Sequence, residues 1–334
     1  MGTVTVRLML CLELPHEASV IGLSRKRHMQ RHGPHRHRVA GSIILMLTSV
    51  VAPIGAQQSA SSGQWLAVSD AIGRPGSLQP DGVMKYSFPR SDLTVVVAGV
   101  TVKPALALGS WVAFRRLSPN MAMVMGDLVL TEDEVAPVMQ TLQAGGVQQT
   151  ALHNHLLNES PRVMYMHVAA HGDATRIARA IHDALARSHT LLGTPAAAAP
   201  ATNTLDTATI ARVLGRAGKL SGVVYQIAVP RSERIMEDGH EVPPSMGLAT
   251  SINFQPTDGN RAAISGDFVL REGEVNPVIK ALLAHGIQPV AIHSHMLGEQ
   301  PRLYFMHYWA NDDVMKLATG LRAALDLTAS KKGG

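Results

Sequence analysis

Histidine-x-histidine occurs twice in this chain, as His153-Asn154-His155 and His293-Ser294-His295. Each pair is followed by a glutamate (Glu159, Glu299), a Pro-Arg (Arg162, Arg302) and a third histidine (His167, His307), at an offset of 140 residues. Eleven of the 16 histidines lie beyond residue 56, and six of those eleven are these two triplets. In a strand, residues i and i+2 point to one face, so each pair looks the same way. If 162–168 returns beside it as the second strand of a hairpin, His167 joins that face, and Glu159 on the connecting turn can reach the same spot. Three imidazoles and a carboxylate suit a borderline divalent ion, zinc first, with room for a metal-bound water. The alternative is that the histidines are packed or acid–base residues, since duplication copies structural residues as well as ligands.

Other repeated residues have two readings each. Arg162 and Arg302 could clamp a carboxylate or phosphate of a small-molecule or cell-envelope ligand, or pair with Glu159 and Glu299. Asp127 and Asp267, each after glycine, are candidate acceptors for the imidazoles behind the ligands, or turn residues. Glu159 and Glu299 are the candidate general bases for metal-assisted hydrolysis. Copper is the alternative metal, because Met164, Met166, Met296 and Met306 lie nearby. However, Met166 and Met306 directly precede a histidine and so face away from it in a strand, as core residues. Glu132, Glu134, Glu272 and Glu274 read as helix-start acids favoured by the dipole.

These clusters belong to a longer repeat. GDLVLTEDEVAPV at 126–138 faces GDFVLREGEVNPV at 266–278, and about half the positions of 126–167 equal their partners. Each copy reads as β-β-β-β-α-β-β-α, an α+β unit, with strands expected at 83–88, 93–100, 110–117, 121–130, 149–157 and 162–170. A helix starts after Thr131, where Glu134 completes a capping box. Pro137 falls near its start, where a proline costs little. The domain reading is a leader over 1–56, a first unit over 57–192, an Ala/Pro linker over 193–204 and a second unit over 205–330. The two units are expected to pack as a pseudo-twofold pair.

The leader explains the net charge of +5. It carries seven of the 30 Lys/Arg and two of the 25 Asp/Glu, leaving 23 of each in the body. A neutral body argues against nucleic acid, which demands a basic surplus. Arg36 and Arg38, followed by an apolar run from Val39 to Ile54 and small residues at Gly55 and Ala56, have the layout of a secretory signal peptide. Cleavage is expected near Ala56-Gln57, and translation could begin at Met29. The apolar run is short for a bilayer span, so no span is expected after cleavage; a retained short anchor is the alternative. The single cysteine, Cys11, lies in the leader, so the body uses no disulfide. A periplasmic or secreted location follows.

The blocks GDLVLTEDEVAPV and ALHNHLLNESPRVMYMH, with the second-copy IHSHMLGEQPRLYFMHYWAND, resemble the LppY/LpqO family, exported bacterial domains of unknown function. The resemblance covers nearly all of 65–328. It implies export and a two-copy layout, and it supplies no reaction. This chain lacks the lipobox cysteine of the mycobacterial namesakes, so their membrane tether is not implied. The HxHx3E spacing is also weakly similar to the first cupin motif, but no second cupin motif appears, and a helix follows where a jelly roll would continue in strands. Two functional readings stand: an exported divalent-metal protein, as a metal-dependent hydrolase if it is an enzyme, or a non-catalytic envelope protein binding a polar or anionic ligand.

Overall fold

The computed structural model describes residues 65–193 and 202–331. The leader with its signal peptide, and most of the Ala/Pro linker, lie outside the described residues.

The first copy begins with helix α1 (Leu66–Ile72), followed by strands β1 (Ser77–Leu78) and β2 (Met84–Pro89). A small hairpin follows, β3 (Val96–Val97) and β4 (Val100–Thr101), and then a one-turn helix α2 (Pro104–Ala107). The long strands β5 (Gly109–Ser118) and β6 (Met121–Thr131) lead into helix α3 (Glu132–Ala144). Strands β7 (Gln148–His153) and β8 (Val163–Gly172) and helix α4 (Ala174–Leu185) complete it. The second copy repeats this order. It contains α5 (Thr207–Leu214), β9 (Lys219–Ser221), β10 (Val224–Pro230), β11 (Met236–Glu237) and β12 (His240–Glu241). After a 3₁₀ turn come β13 (Ala249–Pro256), β14 (Arg261–Leu270), α6 (Glu272–Ala284), β15 (Gln288–His293), β16 (Tyr304–Asp313) and α7 (Val314–Leu325). Among the described residues each copy forms one six-stranded sheet, in the orders β1-β2-β5-β6-β8-β7 and β15-β16-β14-β13-β10-β9. The expected α+β class and tandem units are present.

Strand alternation sorts the side chains into two layers. Along β6, Val124, Leu128 and Leu130 join the core under α1, α3 and α4, together with Met166, Val168 and Ile181. The intervening Met123, Met125 and Val129 face the other copy. Met123 and Met125 pack with Met246, Val269 and Phe305, and Val129 and Tyr165 with Ala263 and Trp309. Both faces of each sheet are therefore buried, by helices on one side and by the opposite copy on the other. Each fully buried aliphatic or aromatic side chain contributes roughly 1.5–3 kcal/mol, and the shared face draws on both copies. Polar bonds fix its register. The Gln255 side chain accepts from the Lys103 amide at 2.8 Å and donates to the Thr101 carbonyl at 2.9 Å. Gln226 donates to the Ala105 carbonyl, and Thr150 Oγ1 to the His295 carbonyl at 2.7 Å.

Three sequence expectations change. The strand expected at 93–100 is the β3–β4 hairpin, outside the main sheet, because Ala98 and Gly99 turn the chain with φ of 47° and 82°. The strand expected at 149–157 ends at His153, where pairing to Tyr165 stops. Beyond it the Asn154 side chain, rather than a ladder amide, donates to the Val163 carbonyl. Pro137 is the sixth residue of α3, past the first turn. It therefore leaves the Asp133 carbonyl without its ladder donor. The capping box does form, with Glu134 Oε2 accepting from the Thr131 amide at 2.9 Å.

Glu134 also does something the sequence reading missed. Arg90 is fully buried and donates to both Glu134 oxygens, at 2.7 and 3.1 Å, to Asp92 and to the Val129 carbonyl. Arg231 repeats this with Glu274, Glu233 and the Val269 carbonyl. This buried ion pair ties the end of β2 or β10 to the start of the central helix in each copy.

Candidate metal centre

The two copies present their histidines to the same place. His167 and Asp127 are cross-strand partners on β8 and β6, and His307 and Asp267 on β16 and β14. His153 stands opposite Tyr165, and His293 opposite Phe305. All these residues are on the face turned to the other copy. His155 and His295 lie just past the strand ends, so the i, i+2 rule does not place them. They are placed by stacking instead. The His155 ring lies 3.4 Å from the Tyr165 ring and 3.6 Å from that of His307. The His295 ring lies 3.4 Å from Phe305 and 3.9 Å from His167.

The result is one cluster shared between copies rather than a triplet in each. His153 and His293 stack at 3.7 Å, and His153 Nε2 sits 3.1 Å from His307 Nε2. Among the described residues, four groups bring one ligand atom per residue within 4.8 Å of one another. They are His153, His167 and His293; His153, His155 and His307; Asp127, His155 and His167; and Asp267, His293 and His295. Neither single-copy triplet forms such a group.

Asp127 and Asp267 approach their own copy's histidines, with His155 Nε2 at 3.5 Å from Asp127 Oδ2 and His295 Nε2 at 3.1 Å from Asp267 Oδ2. They thus stand close enough to be ligands themselves, beyond the supporting role expected of them. Burial pushes the Asp127 carboxyl up to about 8, with Asp267 adding to the rise and Lys85 opposing it. Burial likewise lifts Asp267 to about 6, against the pull of His307. Lys85, over the Trp111 ring at 3.9 Å, is lowered to about 8 by burial, followed by repulsion from Lys219.

Burial is also the first cause holding the imidazoles below their ordinary value. His307 falls to about 4 and His153 to about 2, while His155, His167, His293 and His295 are lowered too. The rings are therefore neutral at physiological pH, the form that binds metals. Backbone fixes the tautomer of His307: its Nδ1 donates to the Gly266 carbonyl at 2.9 Å, which leaves the Nε2 lone pair facing the cluster. Gly266 must be glycine, because a Cβ there would collide with the Ser251 carbonyl oxygen and the Tyr308 hydroxyl. Gly266→Ala is expected to cost about 1–3 kcal/mol by overpacking, read as a lower denaturation midpoint at unchanged m-value.

The donor set fits a metal on a further ground. Buried Nε2 of His155 and His167, Nδ1 of His153, both ring nitrogens of His293, and Oδ1 of Asp127 and Asp267 have no hydrogen-bond partner. A buried polar atom left so costs about 1–3 kcal/mol, and this many in one place is unusual for a native core. A cation accepting their lone pairs would offset that cost. These buried histidines and aspartates could hold a metal ion.

The glutamates and arginines of the motif are elsewhere engaged. Glu299 is buried, accepts from the Leu303 amide at 2.9 Å and pairs with Arg302 at 3.3 Å. Glu159 lies 3.5 Å from the Val163 amide. Arg162 is exposed and pairs with Glu132 at 3.6 Å, and Arg302 also donates to Ser294 Oγ. These bonds hold the turn between the paired strands; both turns carry a cis peptide before proline, at Ser160-Pro161 and Gln300-Pro301. Met166 and Met306 are fully buried in the helix-side cores, facing away from the histidines as expected. The sequence reading missed Tyr165 and Phe305, whose only signal was their position two residues before the third histidine.

Fold and site together define a duplicated α+β protein whose copies share one buried histidine–aspartate centre. Residues 66–187 and 208–327 each match the family described as Domain of Unknown Function (DUF1259), and the chain belongs to that family. No curated protein matches it. Among solved structures, a trimeric bacterial microcompartment shell protein, PduB, is similar at 10% identity, over 74% of this chain and 87% of that one, with a TM-score of 0.19. EtuB from Clostridium kluyveri is similar at 8% identity, over 75% and 88%, with the same TM-score of 0.19. At that score neither likeness bears on fold or function here.

Proposed function

We propose that this is an exported metal-binding protein that holds a divalent ion, zinc before copper, between its two copies. The observation that carries the reading is the convergence of six neutral imidazoles from both repeats, several with buried nitrogens that have no hydrogen-bond partner. Three imidazoles with a carboxylate or water complete the coordination zinc prefers. Of the methionines beside the motif, Met166 and Met306 are turned into the helix-side cores, while Met296 lies in the core between the copies and is the one that keeps copper as the alternative. Export is supported by the signal-peptide layout and by the resemblance to LppY/LpqO proteins. Among the described residues no helix is long and apolar enough to cross a membrane.

Holding the ion fits the site better than hydrolysing a bulky substrate with it. His167, His295 and His307 are each about 3–4% exposed, and His153, His155 and His293 are half-buried, which leaves little open surface for a bulky substrate. If hydrolysis does occur, Glu159 and Glu299 must leave their turn bonds to act as bases. The anionic-ligand alternative draws no support from Arg162 and Arg302, which are exposed and paired at the turns. The test is elemental analysis of the purified full-length protein beside a His153→Ala/His155→Ala variant. Metal is expected near stoichiometric amounts in the first and strongly depleted in the second. Equal, near-zero metal in both after zinc reconstitution would end the proposal.

A further inference from the structure

We infer that the shared centre takes two ions rather than one, the first beside Asp127 and His155 and the second beside Asp267 and His295. This rests on the metal reading above and adds the number of ions and the pair of residues on which each is built.

Ring packing sorts the four donor groups. An imidazole donates in its own plane, so two rings lying face to face cannot aim their lone pairs at one ion. The closest ring contacts among the six histidines are of this kind and run between the copies: His153 on His293 at 3.7 Å, His155 on His307 at 3.6 Å and His167 on His295 at 3.9 Å. The group of His153, His167 and His293 contains the first of these pairs, and the group of His153, His155 and His307 the second. The groups Asp127, His155, His167 and Asp267, His293, His295 contain none of them. They also share no residue, so both can be filled at once. Common to both is an aspartate with the second histidine of its own copy's His-x-His, at 3.5 Å in the first copy and 3.1 Å in the second. Two donors each about 2.0–2.1 Å from a tetrahedral zinc lie about 3.3 Å apart, between those two separations.

The demand for a cation is likewise present on both sides. Asp127 Oδ1, His155 Nε2 and His167 Nε2 are buried without a hydrogen-bond partner in one group, and Asp267 Oδ1 and both His293 nitrogens in the other. A single ion beside either aspartate leaves the other group's atoms unmet. The remaining four rings allow two for each ion, so the cluster divides evenly into three imidazoles and one carboxylate per ion, a full shell for zinc. The duplication thus doubles the site, and both ions sit where the copies meet, with the rings of one group stacked on those of the other.

The test uses full-length protein loaded with excess Zn²⁺, desalted and assayed for zinc per chain. About two equivalents are expected, against about one if a single tetrahedral ion were shared. Asp127→Asn and Asp267→Asn are each expected to lose about one equivalent and keep the other, because asparagine conserves side-chain volume and leaves the ring stacks in place. About one equivalent in the wild type, or loss of all zinc in either variant, would overturn the inference in favour of one shared ion. Full retention in both variants would overturn it as well, by removing the aspartates from the ligands. Should a variant fail to fold, wild-type protein saturated with ¹¹³Cd²⁺ decides. Two cadmium resonances are expected, since Tyr165 backs His155 and Phe305 backs His295; a single resonance integrating to one cadmium per chain would refute it. Wild-type protein that retains neither ion would remove the metal reading itself, an outcome distinct from a one-ion result.

Discussion

Chelation of the full-length protein is expected to lower its melting temperature by about 10 °C, and zinc to restore it. A ligand that binds only the folded state stabilises it by about 4 kcal/mol at a thousand times its dissociation constant. For chains of about this size, each kcal/mol moves the melting temperature by about 2–4 °C. The effect is large because the ion would join two sheets from different copies, so that both must be folded and docked to hold it. In the His153→Ala/His293→Ala variant, which removes the two rings stacked at 3.7 Å, the melting temperature is expected to ignore both chelator and zinc. Differential scanning calorimetry checks this, and a wild-type curve unmoved by chelation would count against a metal held between the copies.

Replacing Arg90 with alanine is expected to cost about 3–5 kcal/mol, the usual loss when one partner of a buried ion pair is removed. Glu134 would keep its charge in a site that is 3% exposed. It would retain only the Thr131 and His189 amides and the His189 ring as hydrogen-bond partners. The Val129 carbonyl would lose its 2.7 Å donor as well. In the native protein these bonds, with the Arg90 guanidinium foremost, overcome burial and hold Glu134 down to about 2 against an ordinary 4.5. A depressed folded value means that this carboxylate's stabilisation is complete above pH 4.5 and is lost as pH falls towards 2. Urea unfolding at neutral pH measures the Arg90 effect. A cost below about 1 kcal/mol, the range of exposed pairs, would show that the pair is not buried as described.

Much of this molecule could be read from local pattern. The 140-residue offset exposed the duplication, Thr131 and Glu134 marked the start of α3, and alternation placed Met166 and Met306 in the core. The histidine face was legible because His153 and His167 sit on paired strands. What local pattern could not supply was contact between copies. Nothing in the spacing of His153 and His155 says that the His307 ring lies against both, because that contact depends on how two sheets dock. For the same reason Glu134 read as a helix-start acid: its buried partner, Arg90, is 44 residues earlier in the chain. The His-x-His pairs also looked like strand pairs throughout, whereas His155 and His295 are held beyond the strand ends by Tyr165 and Phe305.

The most direct test of a metal held by histidines at the meeting of the copies is zinc K-edge X-ray absorption on full-length protein, reconstituted and then desalted. The account predicts retained zinc with a nitrogen/oxygen shell at about 2.0–2.1 Å and the outer-shell scattering of three imidazoles. Zinc lost on desalting, or retained without imidazole scattering, would contradict it.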